Sequence, residues 1–320
     1  MATQSAVLEQ AAVKRSSQTG DQVARLLTLV FAAGVLLITA ILVYEMWLGS
    51  APARHSLGWN FLFSTEWNPV TEKFGAAPFM YGTVVTSVLA LLISVPLGVG
   101  AAVFLSELAP AGISSALTFL VELLAAIPSV IYGLLAIFTL VPFMRSYGEP
   151  FLKRTLGFLP FFQGPAYGVG FLTAGMILAV MTFPFIISVS REALLAVPRD
   201  QREAALALGA TRWEMTSQIV VPYAKLGILG SIFLGLARAL GETMAVTMVI
   251  GNDPSIHASL LAPGYSIAAA IANQFSEATG TVYPAALVEL GLVLFLLTII
   301  INALARLMII ATTSKGSKRP

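Results

Sequence analysis

The chain has 320 residues, of which 57% are hydrophobic and 11% charged, and its formal net charge is +2. A mean hydropathy of +0.86 excludes a water-soluble domain and favours an integral membrane protein. Since there is no cysteine, disulfides, thiol catalysis and cysteine-ligated metal sites are excluded as well.

Apolar runs long enough to cross a bilayer recur along the chain. A transmembrane helix needs about 20 mostly apolar residues. Six runs reach that length, near residues 26–48, 81–105, 117–142, 168–190, 224–250 and 284–311. The sequence therefore predicts an all-α integral membrane protein with six transmembrane helices. The membrane domain covers residues 26–311, between an N-terminal tail (1–25) and a C-terminal tail (312–320).

The segment before the first span is polar and carries Lys14, Arg15 and Arg25. No small-residue cleavage site follows the first apolar run, so we expect a retained span and not a removed signal peptide.

The connections after the first, third and fifth spans are long, near residues 49–80, 143–167 and 251–283. They contain the aromatic residues Trp59, Trp67, Tyr147, Tyr167 and Tyr265. Such residues are typical of an interfacial aromatic belt, but they also suit a docking surface for an external binding protein. The sequence leaves both interpretations open.

Four residues inside the spans are notable without belonging to a motif. Pro128 and Pro184 should kink the third and fourth spans and free backbone carbonyls. Glu122 and Glu289 are acidic groups at membrane depth, which must find partners, and we interpret them as structural or interfacial.

A polar island, EAALALGATRWEMTSQIVVP, lies between the fourth and fifth spans in a loop of residues 191–223. Its marked positions are Glu203, Ala204, Ala205, Gly209, Ile219 and Pro222. Their spacing resembles the EAA signature of permease subunits in ABC importers, except that Val221 stands where leucine is usual. The resemblance implies a loop that docks on a cytosolic ATPase. The alternative is an ordinary amphipathic helix lying on the membrane.

The island should form a short coupling helix. Pro198 suits the first turn of a helix, where its missing N–H costs nothing. Gly209 is placed to end that helix in a left-handed conformation. A second short helix should run from about Thr211 until Pro222 interrupts it.

The fifth span carries small residues at every fourth position, which allows helices to pack closely. These residues are Gly227, Ser231, Gly235 and Ala239. Arg238 and Glu242 are also four apart and should project from one helical face. They are either a buried structural ion pair or part of the substrate pathway, with Arg238 binding an oxyanion. In the second case Glu242 balances the charge and accepts a proton from hydrogen phosphate.

Lys and Arg are most abundant at both termini and in the island, so these parts are predicted to be cytoplasmic. No G-x-x-x-x-G-K-[ST] phosphate loop is present, so if ATP drives the process it is hydrolysed on a separate subunit, and this chain is then not an enzyme. We predict no catalytic residue and no metal site, since His55 and His257 are far apart in sequence.

Several segments point to one family. ALGETMAVTMVIGN after Arg238, FLFSTEWNPV, FGAAPFMYGTVVTS, IPSVIYG and TFPFIISVSREALLAVP together resemble the PstC permease family of bacterial phosphate-specific ABC importers. The resemblance covers residues 58–311 and implies a type I ABC importer permease fold in the bacterial inner membrane. It also implies a PstA-type companion permease, a PstB-type ATPase dimer that binds ATP and Mg, and an external PstS-type phosphate-binding protein. No cofactor is expected on this chain, and the family's charged pair carries over to Arg238 and Glu242.

Other functions remain open at this point. The chain could be the PstA-type subunit, or an ABC permease for sulfate or molybdate. An ion-driven secondary transporter would need midplane charges too, but the sequence has no second copy of the RALGE or EAA segments. A membrane-bound sensor could use the island to bind a signalling partner.

Overall fold

The computed structural model describes the backbone of residues 2–316 and the side chains of residues 20–307. Regular structure in that range is helical, apart from two isolated β-bridges. Six helical stretches are long and apolar enough to cross a membrane, which confirms the predicted fold class. They are Gly20–Gly49, Ala77–Leu108, Ser129–Leu156, Phe171–Leu195, Arg212–Leu240 and Val282–Leu307.

The α-helices are numbered in chain order. The first part of the chain forms α1 (Ala2–Gly49), α2 (Ala51–Leu57), α3 (Asn60–Phe63), α4 (Ala77–Val103), α5 (Ala111–Ala126), α6 (Ser129–Leu135), α7 (Val141–Phe143) and α8 (Glu149–Leu156). The second part forms α9 (Phe171–Leu195), α10 (Arg199–Ala207), α11 (Arg212–Met215), α12 (Val221–Leu240), α13 (Met244–Val249), α14 (Ile267–Gln274) and α15 (Val282–Gly316).

Helix α9 is the centre of the bundle, with α4 and α12 packed along it. Glycines allow this close approach, because a Cβ added at Gly98 or Gly235 would meet the side chain of Ile186. The hydroxyls of Ser190 and Ser231 are hydrogen-bonded across the α9–α12 contact at 2.7 Å. The predicted small-residue stripe of the fifth span is therefore confirmed as the surface that packs on α9.

The predicted third span, residues 117–142, is wrong. Helix α5 ends at Ala126, and the membrane-length helix begins at Ser129. Ile127 and Pro128 are both extended, with ψ of 127° and 142°. The residue before a proline is disfavoured in the α region, so Pro128 separates two helices instead of kinking one. Pro184, by contrast, lies inside the continuous helix α9.

The predicted fifth span, residues 224–250, is also displaced. The observed helix runs from Arg212 to Leu240 and therefore begins well before the predicted start. It ends before a turn at Gly241–Thr243, after which the short helix α13 begins. Pro222 does not interrupt the helix, contrary to the prediction.

Wider helical turns explain how the chain passes several prolines. The described residues contain π-helical turns at Phe104–Leu108, Ala136–Leu140, Met144–Gly148 and Thr216–Val220. A proline follows two residues after the end of each turn, at Pro110, Pro142, Pro150 and Pro222. Proline lacks an N–H and clashes with the carbonyl one turn earlier, and the extra residue of a π turn relieves both conflicts. The helix continues through three of these prolines and ends only before Pro110.

Helix α1 lies at the edge of the bundle. No residue of its most apolar stretch is buried inside the chain, and it packs on α15, where a Cβ added at Gly291 would meet Met46. Its remaining surface is left to lipid or to other subunits. The predicted domain limits stay a prediction, and the last part of the C-terminal tail, residues 317–320, lies outside the described residues.

Candidate coupling segment and substrate pathway

Helix α10 is the short helix predicted in the island. Its N-cap is Pro198, with ψ of 142°, and Asp200 lies in the first turn. A proline needs no N–H at this place, and a carboxylate there interacts favourably with the helix dipole. The predicted start of the coupling helix is therefore confirmed to within one residue.

Gly209 ends this helix as predicted. Its φ is +85°, in the left-handed region. The Gly209 N–H donates to the Leu206 carbonyl at 3.0 Å and the Ala210 N–H to the Ala205 carbonyl at 3.2 Å. These are the two bonds of a Schellman motif, which needs a residue that tolerates positive φ.

The next helix begins with a capping box. The Thr211 hydroxyl accepts the Glu214 N–H at 3.3 Å, while a Glu214 carboxylate oxygen accepts the Thr211 N–H at 2.8 Å. Each side chain thus satisfies a backbone donor at the start of the long helix. The sequence TRWE carries this signal, although the prediction named only the approximate start at Thr211.

The structure divides the predicted coupling residues between two helices. Glu203 and Ala204 on α10 are exposed, whereas Ala205 is buried in a cluster that also contains Leu105 and Met215. Gly209 follows the end of α10 and is exposed. On the following helix, Ile219 packs against the same cluster and Pro222 is exposed.

Large apolar side chains add to the exposed face of this segment. Leu208 is 90% exposed, and Leu206 and Trp213 are exposed as well. Exposed apolar groups beside Glu203 and Ala204 are suited to a protein partner.

A partly buried ion pair beside α10 was missed at the sequence level. Arg202 forms it with Glu107, from the π turn that follows α4, with an N–O distance of 2.9 Å. Arg202 immediately precedes the EAA segment, where the sequence shows it only as one of several positive charges in the loop. Nothing in the sequence links it to a carboxylate 95 positions earlier.

Arg238 lies near the C-terminal end of α12 and is half-buried. Its guanidinium carbon is 4.5 Å from the centroid of the Phe185 ring on α9. The Nε atom is buried without a hydrogen-bond partner in the described part of the chain. The guanidinium is therefore held by a ring and not by a carboxylate.

Glu242 does not share a helical face with Arg238, so that prediction is wrong. It lies in the turn after α12, and its Oε1 accepts the N–H groups of Thr243 at 3.2 Å and Ala245 at 3.5 Å. The carboxylate thus caps the start of α13. Among the described side chains the ion pairs are Glu66–Lys73, Glu107–Arg202 and Asp253–His257, so Arg238 and Glu242 form none with each other.

Of the two acids predicted at membrane depth, Glu289 lies on a membrane-length helix, whereas Glu122 lies on α5, outside the six membrane-length stretches. Glu289 on α15 is buried, and its Oε2 has no hydrogen-bond partner within the described residues. Glu122 on α5 is exposed. Neither lies in the coupling segment. The part of the chain with described side chains contains no group of three His, Asp or Glu residues that could hold a metal.

The aromatic residues assigned to the connections after the first, third and fifth spans separate into two groups. Trp67 packs edge-on against Phe74 and Phe79 and donates a hydrogen bond to Gln274 Oε1 at 2.8 Å. Trp67 and the buried Tyr265 are therefore structural. Exposed aromatic side chains remain at Trp59 and Tyr167. Tyr147 is exposed as well, but it lies inside the helical stretch Ser129–Leu156 and not in a connection as predicted.

An open cleft of about 610 Å³ is formed by segments 160–167 and 253–263. Its wall includes Tyr167, Asp253 and His257. The cleft thus joins the loop after the third span to the loop after the fifth.

Comparison with known proteins assigns the chain to a family. Residues 94–309 match the family described as binding-protein-dependent transport system inner membrane component. A phosphate transport system permease protein PstC of Mesorhizobium japonicum is 46% identical over 303 residues, covering 93% of this chain and 92% of the relative. The PstC of Haemophilus influenzae is 45% identical, covering 88% of this chain and 90% of the relative.

The fold also matches a solved transporter. The crystal structure of a bacterial ABC transporter involved in the import of the acidic polysaccharide alginate aligns with a TM-score of 0.53 and 18% identity. The alignment covers 85% of this chain and 94% of that chain. At that identity the likeness shows a shared permease fold and nothing about substrate.

Proposed function

This chain belongs to the family of binding-protein-dependent transport system inner membrane components, and we propose on that premise that it is the permease subunit of an ATP-driven phosphate importer. The observation that carries the proposal is the similarity, over about nine-tenths of the chain, to phosphate transport permeases. A permease for sulfate or molybdate is not favoured by these relatives. The protein is a transport subunit of the inner membrane and crosses it several times.

The permease forms half of the translocation pathway together with a PstA-type permease. Most of the apolar surface of its spans is not buried within the chain, except on α9. Such surface must be covered by lipid or by another membrane subunit. The exposed face of α10 is the docking site for a PstB-type ATPase dimer, which binds ATP and Mg.

The coupling residues are Glu203, Ala204, Ala205 and Gly209 on and after α10, with Ile219 and Pro222 on the next helix. Ala205 contributes from inside, since it packs on the chain's own core. The excess of Lys and Arg in this segment and at both termini supports their location in the cytoplasm. The cleft beside Tyr167 and His257 is then external and receives a PstS-type phosphate-binding protein.

Arg238 binds the anion as it passes. Its guanidinium forms no ion pair with a carboxylate of the described residues, and its Nε is an unused donor, so the planar group can donate to phosphate oxygens. The Phe185 ring holds the group in place while leaving its N–H donors available. Glu242, fixed by two backbone amides, supplies the compensating charge and accepts a hydrogen bond from the P–OH group of hydrogen phosphate, which sulfate lacks.

The test is uptake of labelled phosphate, with and without excess sulfate, in phosphate-starved cells that lack this chain and are complemented by it. We expect complementation to restore uptake that sulfate does not inhibit, and Arg238→Ala to abolish it. If the inserted chain and its partners are present but uptake is not restored, the substrate assignment is wrong.

A second variant separates the transport mechanisms. Glu203→Arg combined with Gly209→Asp should abolish ATP-driven uptake without affecting membrane insertion. An ion-driven carrier would retain uptake under an imposed ion gradient, and a sensor would show no uptake defect. Either result would contradict the proposal.

A further inference from the structure

Arg202 ties the coupling helix to the ends of two transmembrane helices. We propose that this contact, the Arg202 clamp, carries the movement of α10 into α4 and α9 and so couples ATP hydrolysis to phosphate passage. The clamp consists of Arg202, the Glu107 carboxylate and the backbone carbonyls of Leu194 and Val197. The inference rests on the proposed function, in which α10 docks on the ATPase.

All three nitrogens of the Arg202 guanidinium donate hydrogen bonds. Nε donates to Glu107 Oε2 at 3.1 Å, and Nη2 donates to Glu107 Oε1 at 2.9 Å. Nη2 also donates to the Leu194 carbonyl at 2.8 Å, and Nη1 donates to the Val197 carbonyl. A planar fork that binds a carboxylate with two bonds fixes orientation as well as distance. One side chain therefore connects α10, the C-terminal end of α9 and the π turn that follows α4.

The clamp is mostly buried, on one side of an open cavity of about 400 Å³. The Arg202 side chain is 18% exposed and that of Glu107 only 4%. The Glu66–Lys73 pair, by comparison, has side chains 51% and 63% exposed. An exposed pair of that kind contributes little, whereas loss of one partner from a buried pair leaves an uncompensated charge. The Arg202 clamp is therefore a stiff connection and not a fluctuating surface contact.

The two sides of α10 face different surroundings. Arg202 is turned inward, while the adjacent Glu203 is exposed. A push on the exposed side of this short helix is thus passed through the clamp on its inner side to the ends of α4 and α9. Glu107 lies in a π-helical turn, a local irregularity that is often found at functional sites within helices.

The clamp is connected to the proposed anion site through α9. Helices α4 and α9 pack along each other, so displacement of one end is transmitted by a rigid pair. Phe185 lies on α9 nine positions before Leu194, which is about 13 Å along a helix. The Phe185 ring contacts Arg238. Movement of the α9 end therefore shifts the surface against which Arg238 rests, which makes Arg202 and Glu107 positioning residues.

The experiment uses the complete importer, reconstituted in vesicles with its ATPase and binding protein. Phosphate uptake and ATP hydrolysis are measured in the same preparation for the wild type, Arg202→Lys and Glu107→Gln. Lysine keeps the charge without the fork, and glutamine keeps one acceptor without the charge. We expect the phosphate transported per ATP hydrolysed to fall about tenfold in each variant while hydrolysis persists.

Matched controls separate coupling from assembly. Lys225→Gln removes an exposed charge from α12 without touching α10 or the clamp, and Glu66→Gln breaks the exposed ion pair. Both should leave the ratio of transport to hydrolysis at the wild-type value. If the Arg202 and Glu107 variants also keep that ratio, with uptake and hydrolysis falling together or not at all, the clamp is only structural. Failure of the wild-type complex to transport phosphate would instead refute the proposed function.

Covalent rescue provides a second test, since the chain contains no cysteine. Glu107→Cys combined with Arg202→Cys removes the clamp and should lower the transport ratio. Cross-linking the two thiols with a short bis-maleimide should recover part of it. If protein with a verified cross-link stays as uncoupled as the untreated variant, the two positions do not transmit movement and the inference is wrong.

Discussion

Arg238 and Arg54 both place a guanidinium over an aromatic ring, but only one of them has its donors engaged. The Arg54 carbon lies 3.7 Å from the Trp47 ring centroid, and the group also donates hydrogen bonds to the Ser50 hydroxyl and the Trp47 carbonyl. Arg238 rests on Phe185 with a buried and unpaired Nε. Arg54 is thus a satisfied structural arginine, whereas Arg238 has donors left for a ligand.

Arg238→Lys should not restore phosphate uptake, although it preserves the charge. Lysine lacks the planar fork, and losing one charge-assisted hydrogen bond of about 1.5–3 kcal/mol lowers uptake by about tenfold or more. The measurement is labelled phosphate uptake in complemented cells. Arg54→Lys is the matched control and should retain most of the activity. Normal uptake with Arg238→Lys would show that any cation suffices.

Glu242→Gln should separate the charge of this residue from its capping role. The glutamine side-chain oxygen can still accept the amides of Thr243 and Ala245, so α13 should keep its N-terminal cap. The other terminal group of the glutamine is an NH2, which cannot accept a hydrogen bond from the P–OH of hydrogen phosphate, and sulfate should therefore compete more strongly for uptake. Glu242→Ala should lose the N-terminal cap of α13 in addition to the charge. An unchanged sulfate competition curve for Glu242→Gln would limit Glu242 to its capping role.

At the scale of single elements, the end of α10 depends on Gly209. Its φ of +85° disfavours any residue with a Cβ, so Gly209→Ala should cost about 1 kcal/mol of stability and loosen the coupling helix. Gly230→Ala is the control, because its Cβ would lie in open space within helix α12. It should be neutral or stabilise by up to about 1 kcal/mol. Thermal unfolding in detergent, together with uptake, checks both variants, and equal effects would refute the argument.

Helix α4 contains two glycines that allow a similar comparison, one in a tight contact and one in open space. A Cβ at Gly82 would lie 2.0 Å from the Tyr265 carbonyl oxygen, whereas one at Gly100 would meet nothing within 4 Å. Gly82→Ala should therefore force the segment before α14 away from α4 and cost about 1–3 kcal/mol. Gly100→Ala should be tolerated. The yield and melting temperature of the purified variants are the measurement. A Gly82→Ala protein as stable as Gly100→Ala would show that this contact is not tight.

The orientation of the whole molecule can be tested directly, because a cysteine-free chain accepts single cysteines as reporters. Leu208→Cys and Trp59→Cys replace side chains that are 90% and 84% exposed, in the coupling segment and in the first outer connection respectively. A membrane-impermeant maleimide should label Trp59→Cys in intact spheroplasts, and Leu208→Cys only after the membrane is opened. The opposite pattern would invert the proposed topology.

The sequence predicted most of the architecture and part of the site, and its errors share a cause. Apolar length located six spans, but the third and fifth were placed wrongly because hydropathy does not register a helix break inside an apolar run. Pro128 and the Gly241–Thr243 turn are such breaks. The same error put Arg238 and Glu242 on one helical face, since a spacing of four has that meaning only within an uninterrupted helix.

The sequence by itself determined the class of protein, the all-α membrane fold and the short helix α10 between Pro198 and Gly209, because apolar run length, proline and glycine act locally. Only the tertiary structure decided which side chains meet. It joined Arg202 to Glu107, placed Arg238 on Phe185 and turned Glu242 to the backbone of α13. These contacts link residues on different helices or across a turn, and their geometry follows from how α4, α9 and α12 pack together. Helix packing depends on small residues distributed over several elements, which no local pattern records.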